Sequence, residues 1–173
     1  IELYKRLKLE YRDYPHIGIA LQAYLKETDH DLAELLRWAT TQRTPISVRL
    51  VKGAYWDYER IKARQNGWEI PVWTIKAESD AAFERQSRLI LAHHPICYFA
   101  CGSHNLRTIA AVLEYAAELQ VPAWRYEFQV LYGIAEPVRQ AILKEVGRIR
   151  LYSPYGRKVP GMGYLARRLL ENT

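Results

Sequence analysis

Tyr164, Arg167, Arg168 and Glu171 gather two guanidiniums, a carboxylate and a phenol into the last ten residues of the chain. Read as a helix, Leu165 and Leu169 share one face. Tyr164, Arg167 and Glu171 share another at spacings of three, four and seven, with Arg168 one step off. Guanidinium groups present a planar fork of donors that grips a carboxylate through two parallel hydrogen bonds, so this helix is a candidate site for a small carboxylate ligand. The same residues also suit a solvated amphipathic helix with an i,i+4 Arg/Glu pair. The rest of the chain decides between the two.

A second set of polar residues interrupts apolar runs: Gln22, Arg49 with Lys52-Gly53-Ala54-Tyr55-Trp56, Ser103-His104-Asn105, Glu127 with Gln129, and Tyr152. Packing alone does not explain an Arg or a Gln inside such a run. A buried guanidinium needs a carboxylate, a phosphate or a polarised ring beside it. An internal ion pair, Arg49 with Glu127, is the structural alternative. His104 reads either as a satisfied structural histidine or, followed by Asn105 at a helix start, as a group over a phosphate, where free backbone N–H groups attract anions.

These residues sit on alternating strands and helices. Residues 1–12 read as the end of a helix. Ile17 to Tyr24 is an apolar run of strand length. Asp29 caps a helix to about Arg43 with Leu32, Leu35, Leu36 and Ala39 inward, and Pro45 ends it. Ser47 to Val51 is a second strand, and residues 56–66 are a short helix before the Asn66-Gly67 turn. A helix from about Ala77 to Ala92 precedes a third strand, Ile96 to Cys101. Asn105 opens a helix to about Leu119. Trp124 to Leu131 is a fourth strand, Pro137 opens a helix to about Val146, and Arg148 to Tyr152 is a fifth strand before the arginine helix. Such alternation implies βαβ units and a parallel sheet. The near-continuous apolar strands suggest cover on both faces. A doubly wound sheet and an incomplete (β/α)8 barrel both meet this description and both bind ligands at the carboxyl ends of their strands. No GxGxxG follows a strand, so the dinucleotide fingerprint of the doubly wound fold is absent.

Composition narrows the class. With 173 residues the chain is expected to be one domain, and 49% hydrophobic with 25% charged residues fits a globular core. The net charge of +6 permits attraction to an anionic membrane surface or to nucleic acid. However, no basic block of five or more occurs, which argues against nucleic acid. Cys97 and Cys101, four apart on one strand, stand roughly 13 Å apart, too far for a disulfide, and read as two buried thiols of a reducing compartment. No metal site is expected: His93 and His94 form no metal-binding pattern with the cysteines. No apolar run reaches about 18 residues and no signal peptide is visible. Ile1 is not a natural start, which suggests a piece of a longer chain.

Val48-Arg49-Leu50-Val51-Lys52-Gly53-Ala54-Tyr55-Trp56, Gly102-Ser103-His104-Asn105, Tyr126-Glu127-Phe128-Gln129 and Tyr164 to Asn172 occur in this order. Together they resemble the flavoenzyme proline dehydrogenase, in the form found in bifunctional proline utilisation A proteins. The resemblance implies an α/β fold, the C-terminal portion of a distorted (β/α)8 TIM-like barrel: about five β/α units with a final substrate-binding helix, the amino-terminal strands missing. It implies FAD as cofactor and oxidation of L-proline to 1-pyrroline-5-carboxylate, with electrons passed to a quinone. Residue by residue, it makes Arg167 and Arg168 the ligands of the proline carboxylate and Glu171 the group that steadies them. Tyr152, Tyr164, Leu50 and Tyr55 become walls of the proline pocket. Arg49 becomes the cation near the flavin N(5) position, and Gln22 a hydrogen-bond partner of the isoalloxazine. Val51, Gly53, Trp56, Ser103, His104, Thr74 and Lys76 become further cofactor contacts. An aldehyde dehydrogenase domain is then expected in the parent chain, a cytoplasmic location with peripheral contact at the inner membrane, no nucleic acid bound through this segment, and no activity from residues 1–173 alone. The rival readings are a relative acting on hydroxyproline, against which Tyr152 crowds a ring hydroxyl, a barrel metallohydrolase, and a non-catalytic nucleic-acid-binding module.

Overall fold

The computed structural model describes residues 1–133, 136–157 and 161–166. Helix α1 (Glu2–Glu10) leads into strand β1 (Ile19–Gln22), α2 (Thr28–Gln42), β2 (Ile46–Val51), α3 (Trp56–Asn66) and α4 (Lys76–Ala92). Then follow β3 (Cys97–Gly102), α5 (Leu106–Glu118), a 3-10 turn (Ala123–Arg125), β4 (Tyr126–Leu131), α6 (Glu136–Val146) and β5 (Ile149–Tyr152). The chain is helical again over 161–166.

All five strands are parallel and pair in chain order, β1-β2-β3-β4-β5. A doubly wound sheet reverses its strand order at a switch point; this one runs in a single direction. The core lies on one face. Leu21, Val48, Leu50, Cys97, Phe99, Cys101, Phe128 and Val130 pack there against Leu32, Leu35, Leu36, Ala39, Phe83, Ile90, Leu91, Ile109, Val112 and Ala116 from the helices. Each fully buried Leu or Phe contributes about 2 kcal/mol relative to exposure. The expected inner face of α2 is the observed one.

Cover on both faces is not what the structure has. Ala20, Gln22, Ser47, Arg49 and Val51 alternate with the core residues and point away from the helices, and Ala20 and Arg49 are exposed. Ala20, Val51, Ala100 and Leu131 are apolar on that second face too, which makes a one-sided strand read as a continuous apolar run. Ala20, Arg49, Ala100 and Glu127 lie in one row across four strands.

Helix boundaries differ where a side chain has other work. Asp29 lies in the first turn of α2 and is not its cap. It accepts from Arg85 (2.7 Å) and Gln86 (2.8 Å) and ties α2 to α4, while Thr28 donates to Gln22 O (2.7 Å). Residues 124 and 125 belong to the 3-10 turn, not to β4, because Arg125 turns to donate to His94 O (2.5 Å). Asn105 caps α5 as expected, accepting from Thr108 N–H (3.1 Å). Both cysteines are buried free thiols, and burial pushes the Cys97 thiol up to about 12.

Candidate active site

The loop from Lys52 to Tyr55 closes the carboxyl end of β2, and β1 holds it in place. The Tyr24 ring lies against Gly53, whose φ of 150° lies in the left-handed region; a Cβ there would stand 1.6 Å from the ring. The Tyr24 hydroxyl donates to Ala54 O, and Ala54 N–H donates to Gln22 Oε1 (2.9 Å). The last bond orients the Gln22 amide: its oxygen is taken by the loop, so its NH2 is the free end.

Gln22, Arg49, Val51, Gly53, His104, Tyr152 and Tyr164 line one cavity of about 240 Å³ at the carboxyl ends of the strands, together with Gly102, Gln129 and Leu131. Ala20, Arg49 and Gln129 also line a second hollow of about 550 Å³ toward the amino ends, with Tyr98, Glu127 and Arg150. Arg49 has no polar partner among the described residues. Its side chain lies across Gly102, where an added Cβ would stand 2.9 Å from Val51 Cγ1 and 3.6 Å from Arg49 Nε. Glycine at 102 therefore makes room for the Val51 side chain beneath the cavity, while the contact to Arg49 would be an ordinary one.

His104 Nε2 accepts from Leu131 N–H (3.1 Å), and burial lowers its pKa to about 4. The imidazole is neutral, so its proton must sit on Nδ1, which is buried with no described partner. It offers a hydrogen bond to an acceptor but no cationic charge to a phosphate. The Tyr152 and Tyr164 hydroxyls hydrogen-bond each other, with ring centroids 6.2 Å apart, and wall one side.

Other expected residues stand elsewhere. Leu50 is not a pocket wall: flanked by the cavity-facing Arg49 and Val51, it points to the opposite face and is fully buried in the core. Tyr55, at φ 71° before α3, is exposed and outside the cavity lining. Trp56 donates its indole N–H to Trp73 O (2.8 Å) and carries the Arg60 guanidinium 4.1 Å above its ring, behind the loop. Thr74 and Lys76 are exposed around the start of α4, and Lys76 pairs with Asp80 (2.9 Å). Lys52 is buried and turns to the same Asp80. Burial lowers the Lys52 pKa; burial alone would raise that of Asp80, but hydrogen bonds from the two lysines hold it below the usual range. Ser103 is buried beneath the cavity and accepts from Asn105 N–H (3.2 Å). Arg167, Arg168 and Glu171 lie outside the described residues.

The suggested Arg49–Glu127 pair does not form. Glu127 is near the amino end of β4, not its carboxyl end, and takes Arg150 Nε (2.7 Å) and Nη2 (3.0 Å), the Tyr98 hydroxyl (2.9 Å) and Gln129 Nε2 (2.6 Å). Arg150 and Tyr98 are the residues the sequence reading missed. Arg150 stands two before Tyr152 on β5, so strand alternation was the available signal. Among the described residues no three His, Cys, Asp or Glu side chains converge as metal ligands would.

The family model described as proline dehydrogenase matches residues 1–173, the whole chain. The chain belongs to the proline dehydrogenase family. The bifunctional protein PutA of Klebsiella aerogenes is 37% identical over 163 residues, 90% of this chain and 12% of that protein. Proline dehydrogenase 2 of Bacillus subtilis strain 168 is 30% identical over 162 residues, 92% of this chain and 46% of that protein. Among solved structures, proline utilization A from Bdellovibrio bacteriovorus inactivated by N-propargylglycine superimposes with a TM-score of 0.89 at 46% identity, covering 98% of this chain and 18% of that one. The chain thus spans less than half the length of each of these relatives.

Proline dehydrogenases are flavoenzymes, and the residues here fit such a ring. An isoalloxazine carries carbonyl oxygens that accept hydrogen bonds and gathers negative charge when reduced. The cavity offers an unpaired guanidinium at Arg49, an oriented NH2 at Gln22 and the orphaned Nδ1 of His104.

Proposed function

We propose that residues 1–173 are the carboxyl-terminal part of an FAD-dependent proline dehydrogenase, about five β/α units of a distorted (β/α)8 barrel, in a protein that oxidises L-proline to 1-pyrroline-5-carboxylate. The observation that carries the reading is the unpaired Arg49 beside the oriented Gln22 amide in the cavity of a chain matched throughout by the family model. The uncovered second face of the sheet supports further strands supplied from outside these residues to close the barrel. On that account residues 1–173 do not turn over proline alone. Proline oxidation by the isolated 173-residue chain would refute this part of the reading.

Bound FAD supplies the hydride acceptor for the ring carbon next to the proline nitrogen, and a quinone takes the electrons onward. The chain's own residues bind and orient. Arg49 lends positive charge where the reduced ring gathers negative charge. Gln22 offers its NH2 to a ring carbonyl, and Val51 and Gly53 line the cavity beside it. His104 and the hydroxyl of Ser103 support the cofactor side; Trp56, Thr74 and Lys76 are expected cofactor contacts that stand back from this cavity. Tyr152 and Tyr164 wall the substrate side, and the Tyr152 hydroxyl, tied to Tyr164, leaves little room for a hydroxyl on the substrate ring, which favours proline over hydroxyproline. By the family resemblance, Arg167 and Arg168 fork the proline carboxylate and Glu171 steadies them. Arg168→Met is then expected to weaken proline binding by about 2–3 kcal/mol, the scale of a charged hydrogen bond; an unchanged KM would remove Arg168 from that role. None of the described helices is long and apolar enough to cross a membrane. The expected contact with a membrane quinone is peripheral, at the inner membrane. By the family resemblance, an aldehyde dehydrogenase domain elsewhere in the protein would consume the product.

The test is the visible spectrum of the complete protein, recorded without oxygen before and after L-proline. Flavin bands that bleach with proline support cofactor and substrate together. A colourless protein that FAD does not reconstitute overturns the reading.

A further inference from the structure

Glu127 is a carboxylate with nothing left to give. Four donor contacts from three residues occupy its two oxygens, and the hydrogen bonds from Arg150, Gln129 and Tyr98 hold its pKa below the usual range although burial pushes the other way. It is therefore neither a proton acceptor nor a ligand for anything outside the cluster. What it does fix is Gln129. A carboxylate only accepts, so the Gln129 group 2.6 Å away must be its NH2, and the amide cannot be turned the other way round. The Gln129 oxygen is then the end left to the two hollows it lines, and no described residue donates to it. The cavity holds donors at Gln22, Arg49 and His104; Gln129 adds a side-chain acceptor of fixed direction.

We propose that Glu127, braced by Arg150 and Tyr98, is a positioning residue that presents the Gln129 carboxamide oxygen to the cavity as the acceptor for the imide N–H of the bound isoalloxazine. This rests on the flavin reading above. The imide is the only N–H of the oxidised ring, so a ring held by this cavity has one donor to satisfy, and Gln129 is the described side chain whose acceptor is locked for it.

The test is equilibrium binding of FAD and of FAD methylated at the imide nitrogen to the apo form of the complete protein, followed by flavin fluorescence, with no turnover needed. The wild-type protein is expected to prefer FAD about tenfold, the scale of one lost hydrogen bond in a closed site. In Gln129→Ala the preference should shrink to within about twofold. In Glu127→Ala the Gln129 NH2 loses its acceptor and the amide is free to sit either way round, so the preference should shrink there too. A Glu127 that only braces the fold would lower the melting temperature of Glu127→Ala and leave the preference intact, which overturns its positioning role. A preference that survives Gln129→Ala, or is absent from the wild type, overturns the contact itself. A wild-type protein that binds neither flavin overturns the flavin reading instead.

Discussion

The two halves of the uncovered sheet face solve the same problem in opposite ways. Toward the amino ends, Glu127, Arg150 and Tyr98 satisfy one another, and the carboxylate has no open acceptor site. Toward the carboxyl ends, the polar groups are each half-used: Gln22 keeps an NH2, His104 keeps Nδ1, and Arg49 keeps its whole guanidinium. An unpaired buried polar group costs free energy, which here falls on His104 Nδ1, while Gln22 is half-buried and Arg49 exposed. A cluster that completes itself is explained by the fold; one that stops halfway is explained by something that arrives later. Gln129 bridges the two, its nitrogen in the closed network and its oxygen at the open one.

The contrast breaks first at Glu127. Glu127→Ala should destabilise the chain by about 3 kcal/mol, because it strands Gln129, Tyr98 and a guanidinium at once. Guanidinium chloride melts of the two proteins measure this, and a loss under about 1 kcal/mol would deny the closed network its structural weight. Next is Gly53→Ala, with a methyl driven into the Tyr24 ring at a positive φ. It should cost about 2–3 kcal/mol and release the Lys52–Tyr55 loop, visible as faster amide exchange at Ala54; unchanged exchange there would mean the loop does not depend on the ring.

His104 sharpens the contrast through pH. Its folded pKa of about 4 lies below the unfolded value near 6.5, so the unfolded chain binds the proton first. Stability is full above pH 6.5 and falls as pH drops toward 4, by about 2–3 kcal/mol over that window. His104→Gln should flatten the slope in this range. An equal slope in the variant would assign it to other groups. The smallest stability effect belongs to the open half. Arg49→Met, with no partner lost, should change stability by no more than about 0.5 kcal/mol while the purified complete protein loses most of its flavin colour. A large stability loss with flavin retained would put Arg49 on the wrong side of the comparison.

Much of this was readable beforehand for identifiable reasons. Helix and strand order followed from hydrophobic period, and Asn105 announced α5 because a side-chain cap is a local event. Asp29 misled as a cap because its partners, Arg85 and Gln86, come from a helix more than fifty residues on. The Glu127–Arg150 pair depends on the register of β4 against β5, where Gln129 faces Arg150, and no local pattern contains that. Leu50 was a mistake the residues themselves could have prevented: strand neighbours point to opposite faces, so a cavity containing Arg49 and Val51 excludes it. The cation at Arg49 was visible, but its exposure was not, since one-sided cover leaves little trace when the second face is built from Ala and Val.

That alternation also sets what changes of length the chain can tolerate. One residue inserted early in β2 would move Arg49 into the space now filled by fully buried Leu50, and bring Val48 out to where a guanidinium belongs. Core and cavity would be lost in a single step. The same insertion beside Gly67, where a Cβ would meet nothing within 4 Å, moves neither. Length variation in relatives of this chain should therefore collect in the turns between helices, while the short strands behind the cavity keep their count.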